Sequence, residues 1–195
     1  PFEANNLERN YRAYLKQKIN NPFLGVVHRL DRVTSGVVIF AKKRGTLKTL
    51  NRWFEERQIQ KTYWAITSKA PEEEKGVLIH HLLIDQKSKK ALVAHPKVKG
   101  AKKAELSYKV LSSINDYFLL EIIPKTGRFH QIRAQLSHMG CPIIGDEKYG
   151  STMPYQNLQV ALHARSIELP EPVNRSPVIF EAPSPENDIW KTPLK

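Results

Sequence analysis

The nine residues His28-Arg29-Leu30-Asp31-Arg32-Val33-Thr34-Ser35-Gly36 are the most informative stretch of this chain. They place one carboxylate, that of Asp31, between the guanidinium groups of Arg29 and Arg32. A Thr-Ser-Gly turn follows and leads into the apolar residues 37–41, which we predict to form a strand. The flanking arginines favour the ionised aspartate, and loops beside strands commonly carry chemistry. The stretch therefore predicts a functional carboxylate at Asp31 rather than an ordinary surface ion pair.

The composition of the chain predicts a folded protein that binds a polyanion. Of its 195 residues, 41% are hydrophobic, which argues against disorder. Lysine and arginine number 31 against 19 aspartate and glutamate, so the formal net charge is +12. Such an excess attracts nucleic acid. A basic protein of the membrane surface is the alternative, but no basic amphipathic helix or long apolar run supports it.

The cysteine and histidine content excludes several kinds of site. The single cysteine, Cys141, rules out an internal disulfide and is expected to be a buried small hydrophobe, which fits a reducing cytoplasm. No His-Glu-x-x-His string, cysteine pair, phosphate-binding Gly-x-x-x-x-Gly-Lys loop or Gly-x-Gly-x-x-Gly turn is present. We therefore expect no metal and no nucleotide cofactor. The chain starts at Pro1 rather than at a methionine, so we also expect a piece of a longer polypeptide.

Hydrophobic periodicity predicts the secondary structure. Helices are expected at residues 5–19, from residue 44 onward and at about 128–139. Strands are expected at residues 37–41, 59–67, 77–84, 105–111, 117–123 and 178–180, with a strand-rich segment at 158–169 and a hairpin around 91–94. Strands dominate without regular alternation with helices. The fold class is therefore predicted to be α+β, over a single domain at residues 1–195.

A second motif, residues 127–136, reads Gly-Arg-Phe-His-Gln-Ile-Arg-Ala-Gln-Leu. On a helix, its apolar stripe is formed by Ile132, Leu136 and Met139. Its polar face is formed by His130, Arg133 and Ser137. Because Arg133 lies one turn into the predicted helix, it can reach a neighbouring carboxylate. The residues that follow, 140–150, contain three glycines and one proline and indicate a tightly packed turn.

These strings resemble those of the RluA-type pseudouridine synthases, which isomerise uridine in structured RNA. Residues 28–36 resemble the family's HRLDxxTSG signature, 61–65 its K-x-Y-x-A strand, 127–133 its GRxHQ[IL]R string and 140–150 its G-x-P-I-x-G-D-x-x-Y-G run. The resemblance implies a catalytic domain with a mostly antiparallel mixed sheet flanked by a few helices. A Lys-Pro-x-Gly string usual upstream in the family is not found before residue 23, so we expect N-terminal strands of that domain to be absent.

The resemblance also implies the roles of individual residues. Asp31 would be the catalytic residue, Arg133 would meet it, and Tyr63 would lie against the base. We expect RNA to contact a set of cationic and imidazole side chains, namely Arg29, Arg32, Lys102, Lys103, Arg128 and His130. Seven lysines and no acidic residue lie between positions 87 and 103, although such a run is more often a solvated face. The expected partner is structured RNA, ribosomal or transfer, bound by a monomer.

Isomerisation of uridine suits this set of side chains. The reaction needs a carboxylate, a pocket that retains the detached uracil and an acceptor for the C5 proton, but no redox step. Whether the carboxylate attacks covalently or removes a sugar proton stays open. A non-catalytic RNA-binding module is the competing hypothesis, and Asp31 argues against it because a carboxylate repels phosphate. A nucleoside or glycoside hydrolase would need a second, opposed carboxylate, which the three motifs around Asp31, Tyr63 and Arg133 lack.

Overall fold

A computed structural model of the chain describes residues 6–156, 158–170 and 177–191. In chain order its elements are α1 (Leu7–Lys16), β1 (Gly25–Val26), β2 (Ser35–Gly36), β3 (Phe40–Ala41), α2 (Arg44–Glu55), β4 (Gln60–Thr67), β5 (Lys75–Asp85), β6 (Lys90–Ala94), β7 (Lys102–Ile114), β8 (Tyr117–Pro124), α3 (Gln131–His138), a 3-10 turn (Glu147–Tyr149), β9 (Leu162–Leu169), β10 (Val178–Glu181) and α4 (Asp188–Lys191). No helix within these described ranges is long and apolar enough to cross a membrane. The predicted helix start at residue 5 and part of the proline-rich tail lie outside the described residues.

The chain divides into two compact units. The first contains residues 6–29 and 38–58, and the second contains residues 30–37 and the described residues from 59 onward. In the first unit, β1 and β3 pair antiparallel beside α1 and α2. The buried side chains of that unit are apolar: Leu15, Leu24, Ala41 and Leu50. His28 also belongs to it, because its Nε2 accepts a hydrogen bond from the Ile39 amide at 3.0 Å and its ring stacks on Phe54.

The second unit is built on one large sheet. Its strands lie in the order β10-β9-β4-β8-β7-β5-β6, and every neighbouring pair along this path is antiparallel. The short strand β2 adds a parallel pairing to β9. The predicted α+β class with a mostly antiparallel mixed sheet is therefore confirmed. The hairpin expected around residues 91–94 is formed by β6, which pairs with β5 at the edge of this sheet.

The core of the second unit lies between the sheet and α3. The buried apolar side chains come mainly from the central strands β4, β7 and β8, and they pack against Ile132 and Leu136 of α3. The predicted apolar stripe of this helix thus enters the core, but the helix is not buried on that side alone, because residues 131–136 are all buried, including Arg133 of the predicted polar face. Cys141 is 2% exposed, which agrees with its predicted role as a buried small side chain.

Three predicted elements differ from the structure. Residues 37–41 do not form one strand, because Ser35–Gly36 pairs with β9 while Phe40–Ala41 pairs with β1. The helix expected from residue 128 begins at Gln131, because His130 has the left-handed backbone angle φ +48° that no α-helix can contain. In the segment 158–169, strand pairing starts only at Leu162.

Gly36 explains why the chain changes direction after β2. Its φ is +114°, and a Cβ at this position would overlap the backbone of Ala164 in β9, including the amide nitrogen at 2.6 Å. Only glycine combines this backbone angle with so close an approach of two main chains. The close approach fixes the signature segment against β9, because the Val37 amide also donates to the Ala164 carbonyl oxygen at 2.9 Å.

We predict that Gly36→Ala lowers the free energy of unfolding by about 2–5 kcal/mol, because backbone strain and steric overlap add together. Gly140→Ala is the matched control, since Gly140 also has a positive φ of +87° but has no atom within 4 Å of the added Cβ. The control should lose only about 1–2 kcal/mol. Urea denaturation of the two variants measures the difference, and equal losses would contradict the role assigned to the contact with Ala164.

Candidate active site

Asp31 is held in place by the backbone of the signature segment. It opens a turn in which the Thr34 amide donates to the Asp31 carbonyl oxygen at 2.9 Å. Two residues after Asp31, the Val33 carbonyl oxygen accepts from the Val160 amide at 3.1 Å. The pairing of Ser35–Gly36 with β9 follows directly. The carboxylate therefore stands on a short turn that is fixed to the second unit at its far end.

The turn before α3 is organised by a buried amide side chain. Gln131 is 4% exposed, and its Oε1 accepts from the Thr126 hydroxyl at 2.7 Å and from the Arg128 amide at 3.0 Å. Its Nε2 donates to the Glu105 carbonyl oxygen at 3.1 Å, which ties the turn to β7. These three hydrogen bonds fix the backbone that leads into His130, the residue with the left-handed conformation.

Arg133 and Asp146 form a buried, bidentate ion pair. The Nε and Nη2 atoms of Arg133 donate to the two carboxylate oxygens of Asp146, each at 2.7 Å. The side chains are 5% and 1% exposed, respectively. Burial alone would lower the pKa of Arg133, but the hydrogen bonds to Asp146 and the charges of Asp146 and Asp31 outweigh it, so the net shift of this pKa is upward. Arg133 therefore remains a cation at any ordinary pH.

Asp31 lies beside this pair without forming a close hydrogen bond to it. Its Oδ2 is 3.6 Å from Nη1 of Arg133 and 3.8 Å from Nε2 of His130. Its side chain is 28% exposed, against 5% for Arg133 and 11% for His130. The structure thus brings together Asp31 and Arg133, which the sequence separates widely, and leaves the Asp31 carboxylate partly open to solvent.

His130 is neutral near pH 7. Burial, followed by the positive charges of Arg133 and Lys148, lowers its pKa to about 4. Its contact with Asp31 is therefore a contact between a neutral imidazole and a carboxylate rather than an ion pair. On its other side, Nδ1 of His130 lies 2.9 Å from the hydroxyl oxygen of Tyr149.

Tyr63 lies on β4, and the negative charge of Asp31 affects the pKa of its phenol. Burial and the negative charge of Asp31 raise the pKa of its phenol to about 12, so the hydroxyl stays protonated at neutral pH. The strand register against β9 shifts between Thr62 and Tyr63, which marks a local irregularity at this position. Trp64, on the other side of the strand, is half-buried beneath the guanidinium of Arg165, at 4.7 Å from the ring centre.

Comparison with known proteins identifies the family. A family model described as RNA pseudouridylate synthase matches residues 2–138. The chain belongs to this family. An uncharacterized RNA pseudouridine synthase of Chlorobaculum parvum is 36% identical over 181 residues, which cover 84% of this chain and 55% of that protein. Ribosomal large subunit pseudouridine synthase C of Rickettsia bellii is 39% identical over 168 residues, covering 82% of this chain and 54% of that protein.

Solved structures of the family share the fold. Human RNA pseudouridylate synthase domain containing 4 is 28% identical with a TM-score of 0.69, and the match covers 84% of this chain and 72% of that one. Human RNA pseudouridylate synthase domain containing 1 is 23% identical and shows the same fold with a TM-score of 0.71. The family expected from the sequence motifs is therefore confirmed. The chain spans about half the length of the curated relatives it matches.

The residues predicted to contact RNA differ in their hydrogen-bond partners and in the unit to which they belong. Arg128 donates from Nε to the Lys103 carbonyl oxygen at 3.0 Å, and Lys103 pairs with Glu105 at 3.1 Å. Lys102 and Arg32 are exposed in the second unit. Arg29 is exposed in the first unit. Their contacts with RNA, and the catalytic roles of the three predicted catalytic residues, stay predictions.

Asp146 and Tyr149 are site residues that motif reasoning did not single out. Both lie in the run 140–150, where they match the D and Y of the family's string, but the sequence analysis assigned no role to either. The available signal was an aspartate placed directly after Ile143, Ile144 and a glycine, because a charge next to a buried apolar pair needs a buried partner. The described residues contain no group of three or more His, Cys, Asp or Glu side chains arranged to hold a metal ion.

We predict that Asp146→Ala lowers the free energy of unfolding by about 3–5 kcal/mol, because it leaves the buried Arg133 cation without its bidentate partner. Glu181→Ala is the control, since Glu181 forms a 3.0 Å ion pair with Arg165 but its side chain is 56% exposed. The control should lose no more than about 1 kcal/mol. Urea denaturation compares them, and a small loss at Asp146 would show that the buried pair does not hold the site together.

Proposed function

We propose that this chain is an RNA pseudouridine synthase that converts uridine to pseudouridine in structured RNA, with Asp31 as the catalytic carboxylate. The observation that carries the proposal is the environment of Asp31. In a member of this family, it is a partly exposed carboxylate within 4 Å of a buried arginine and a neutral histidine. A surface aspartate with only a structural role would not require two such largely buried neighbours.

The charge balance of the site supports a reactive carboxylate. The positive charge of Arg133 is engaged at 2.7 Å by both oxygens of Asp146 and only at 3.6 Å by Asp31. Because Coulomb energy falls with distance, most of the arginine's charge is compensated by Asp146. His130 contributes no charge. Arg133 is therefore bound chiefly by Asp146, and Asp31 is not its principal partner.

The proposed reaction leaves the composition of the nucleotide unchanged. The N1–C1′ bond breaks, the uracil turns, and a C5–C1′ bond forms. The C5 proton leaves and N1 gains a proton, so no oxidant or reductant is required. Asp31 supplies the anionic oxygen at the ribose or base. Because the phenol of Tyr63 has a pKa of about 12, it acts as a flat neutral surface and hydrogen-bond donor for the base rather than as an anion.

The proposed substrate is a uridine in folded RNA that leaves its stack to reach Asp31. Extrusion of a base costs a few kcal/mol, and contacts between cations and phosphates offset that cost. The net charge of +12 supplies such contacts. We assign these cationic contacts to Arg29, Arg32, Lys102, Lys103 and Arg128, and to the neutral His130 only an uncharged hydrogen bond with the RNA. The name of the Rickettsia relative favours ribosomal over transfer RNA as the target.

We further propose that residues 1–195 act as one catalytic domain and as a monomer, because the +12 charge opposes self-association.

Hydrolysis of a glycosidic bond is a poorer assignment. The second carboxylate near Asp31 is that of Asp146, which is 1% exposed and bound at both oxygens by Arg133. It therefore cannot activate a water molecule opposite Asp31.

We predict that Asp31→Asn abolishes tritium release from RNA labelled at C5 of uridine, lowering kcat by at least about 100-fold while the Kd for RNA stays within a small factor. The amide preserves the size of the side chain and removes only its charge. Asp116→Asn, an exposed aspartate in the turn between β7 and β8, is the control and should retain full activity. Equal release by both variants would contradict the role of Asp31 as the catalytic carboxylate. No release by the wild-type protein would contradict the enzyme hypothesis and favour a non-catalytic RNA-binding module.

We predict that the double variant Lys102→Gln/Lys103→Gln reduces the slope of log affinity for RNA against log salt concentration by up to about 1.5, because each lost phosphate contact removes about 0.7–0.9. Lys75→Gln/Lys109→Gln is the control. Lys75 and Lys109 face each other across β5 and β7, six residues along the ladder from the pair His81 and Lys103, or about 20 Å away. Identical slopes in the two double variants would exclude Lys102 and Lys103 as a phosphate-binding surface.

A further inference from the structure

A chain of hydrogen-bonding groups runs from the edge of the sheet to Asp31. The backbone amide of Ala91, in β6, donates to the hydroxyl oxygen of Tyr149 at 2.7 Å. That hydroxyl lies 2.9 Å from Nδ1 of His130. The other ring nitrogen of His130, Nε2, is 3.8 Å from Oδ2 of Asp31. The imidazole is therefore placed between a phenol and a carboxylate.

The phenol determines which ring nitrogen of His130 carries the proton. Burial raises the pKa of Tyr149 to about 12, so its hydroxyl keeps its hydrogen. Among the described residues, the Ala91 amide and His130 are the only hydrogen-bond partners of this oxygen, and the amide can only donate. The phenol hydrogen must then point to Nδ1, because otherwise a hydroxyl that is almost fully buried would lack an acceptor.

The carboxylate requires the same tautomer. If Nδ1 accepts from the phenol, the single proton of the neutral imidazole is on Nε2, the nitrogen nearest Asp31. The opposite tautomer would direct the lone pair of Nε2 toward the negative Oδ2 of Asp31, which is repulsive. Both sides of the ring therefore favour the Nε2–H form, the phenol at 2.9 Å more strongly than the carboxylate at 3.8 Å.

We propose that His130 is a positioning residue for the Asp31 carboxylate, and that Tyr149 fixes it as the Nε2–H tautomer. This inference rests on the proposed function of the site. His130 and Arg133 both approach Oδ2 of Asp31, at 3.8 and 3.6 Å, so together they set the orientation of the carboxylate. Both distances exceed those of a hydrogen bond, and we expect them to shorten when a nucleotide binds.

The surroundings of His130 restrict the motion of its ring. The ring stacks on Phe129 with 3.8 Å between the ring centres, and its backbone is held in the left-handed conformation by the turn that precedes α3. Tyr149 is itself fixed, because its ring lies beneath the Arg133 guanidinium at 5.0 Å and its carbonyl oxygen accepts from the Ser137 hydroxyl at 2.6 Å. The tautomer is therefore set by a rigid group.

The first measurement is the protonation state of each ring nitrogen of His130 in the protein without RNA, by long-range proton–nitrogen correlation NMR. The His130→Asn variant, which tolerates the left-handed backbone, assigns the signals. We expect a protonated Nε2 and an unprotonated Nδ1 in the wild-type protein. In Tyr149→Phe the ring loses the donor to Nδ1, and we expect the two nitrogen signals to move toward an exchange average of both tautomers.

The second measurement is kinetic and uses the same Tyr149→Phe variant. We expect kcat for tritium release to fall about tenfold, with KM and the Kd for RNA unchanged, because only the orientation of Asp31 is affected. The loss should not add to that of His130→Asn in the double variant. Tyr155→Phe is the control, since it removes a hydroxyl that accepts from Asn187 and Trp190, and it should leave both kcat and the His130 signals unchanged.

A proton on Nδ1 in the wild-type protein, or imidazole signals that do not respond to Tyr149→Phe, would overturn the assignment of the tautomer. Additive losses of kcat in the double variant would overturn the coupling between Tyr149 and His130. A wild-type protein that releases no tritium would instead contradict the proposed function. The NMR signals, recorded without RNA, separate these two failures.

Discussion

A buried cation needs a buried anion, and in this chain Arg133 and Asp146 meet that need with two hydrogen bonds of 2.7 Å. Because neither side chain can be exposed to water without unfolding the region, the pair forces the turn at residues 145–150 to lie against the first turn of α3. Tyr149 comes from that same turn and thereby reaches His130. One ion pair therefore places Arg133 beside Asp31 and brings Tyr149 to His130.

A separate set of backbone contacts holds Asp31 at this site. The signature segment is attached to β9 by the pairing of Ser35–Gly36 and by the amide of Val37, and only glycine at position 36 permits so close an approach. The Asp31 carboxylate therefore stands on a fixed turn, beside an arginine that is already bound by Asp146. Asp146, rather than Asp31, is therefore the closest partner of Arg133.

The sequence predicted the parts of this structure that depend on local periodicity. The α+β class, the strands of the central sheet and the buried face of α3 follow from apolar spacing and were confirmed. The predicted start of α3, at about residue 128, was too early. His130 adopts a left-handed conformation, which the hydrogen bonds of Gln131 support and which residue propensities do not predict. The sequence analysis assigned no role to Asp146 and Tyr149 for a related reason. Their hydrogen-bond partners belong to the α3 region and to β6, so their place in the site depends on tertiary contacts, which hydrophobic periodicity does not predict.

The choice of a neutral imidazole beside Asp31 has an electrostatic reason. A lysine or arginine at position 130 would place a second positive charge next to Arg133 and close to Asp31. A carboxylate held by a close cation is a weaker nucleophile and a weaker base. His130, whose pKa of about 4 follows from burial and the nearby cations, instead offers a hydrogen-bond donor without a charge. Burial, with the charges of Arg133 and Lys148 beside it, therefore keeps the histidine neutral, so Arg133 contributes both to the buried ion pair and to the uncharged state of His130.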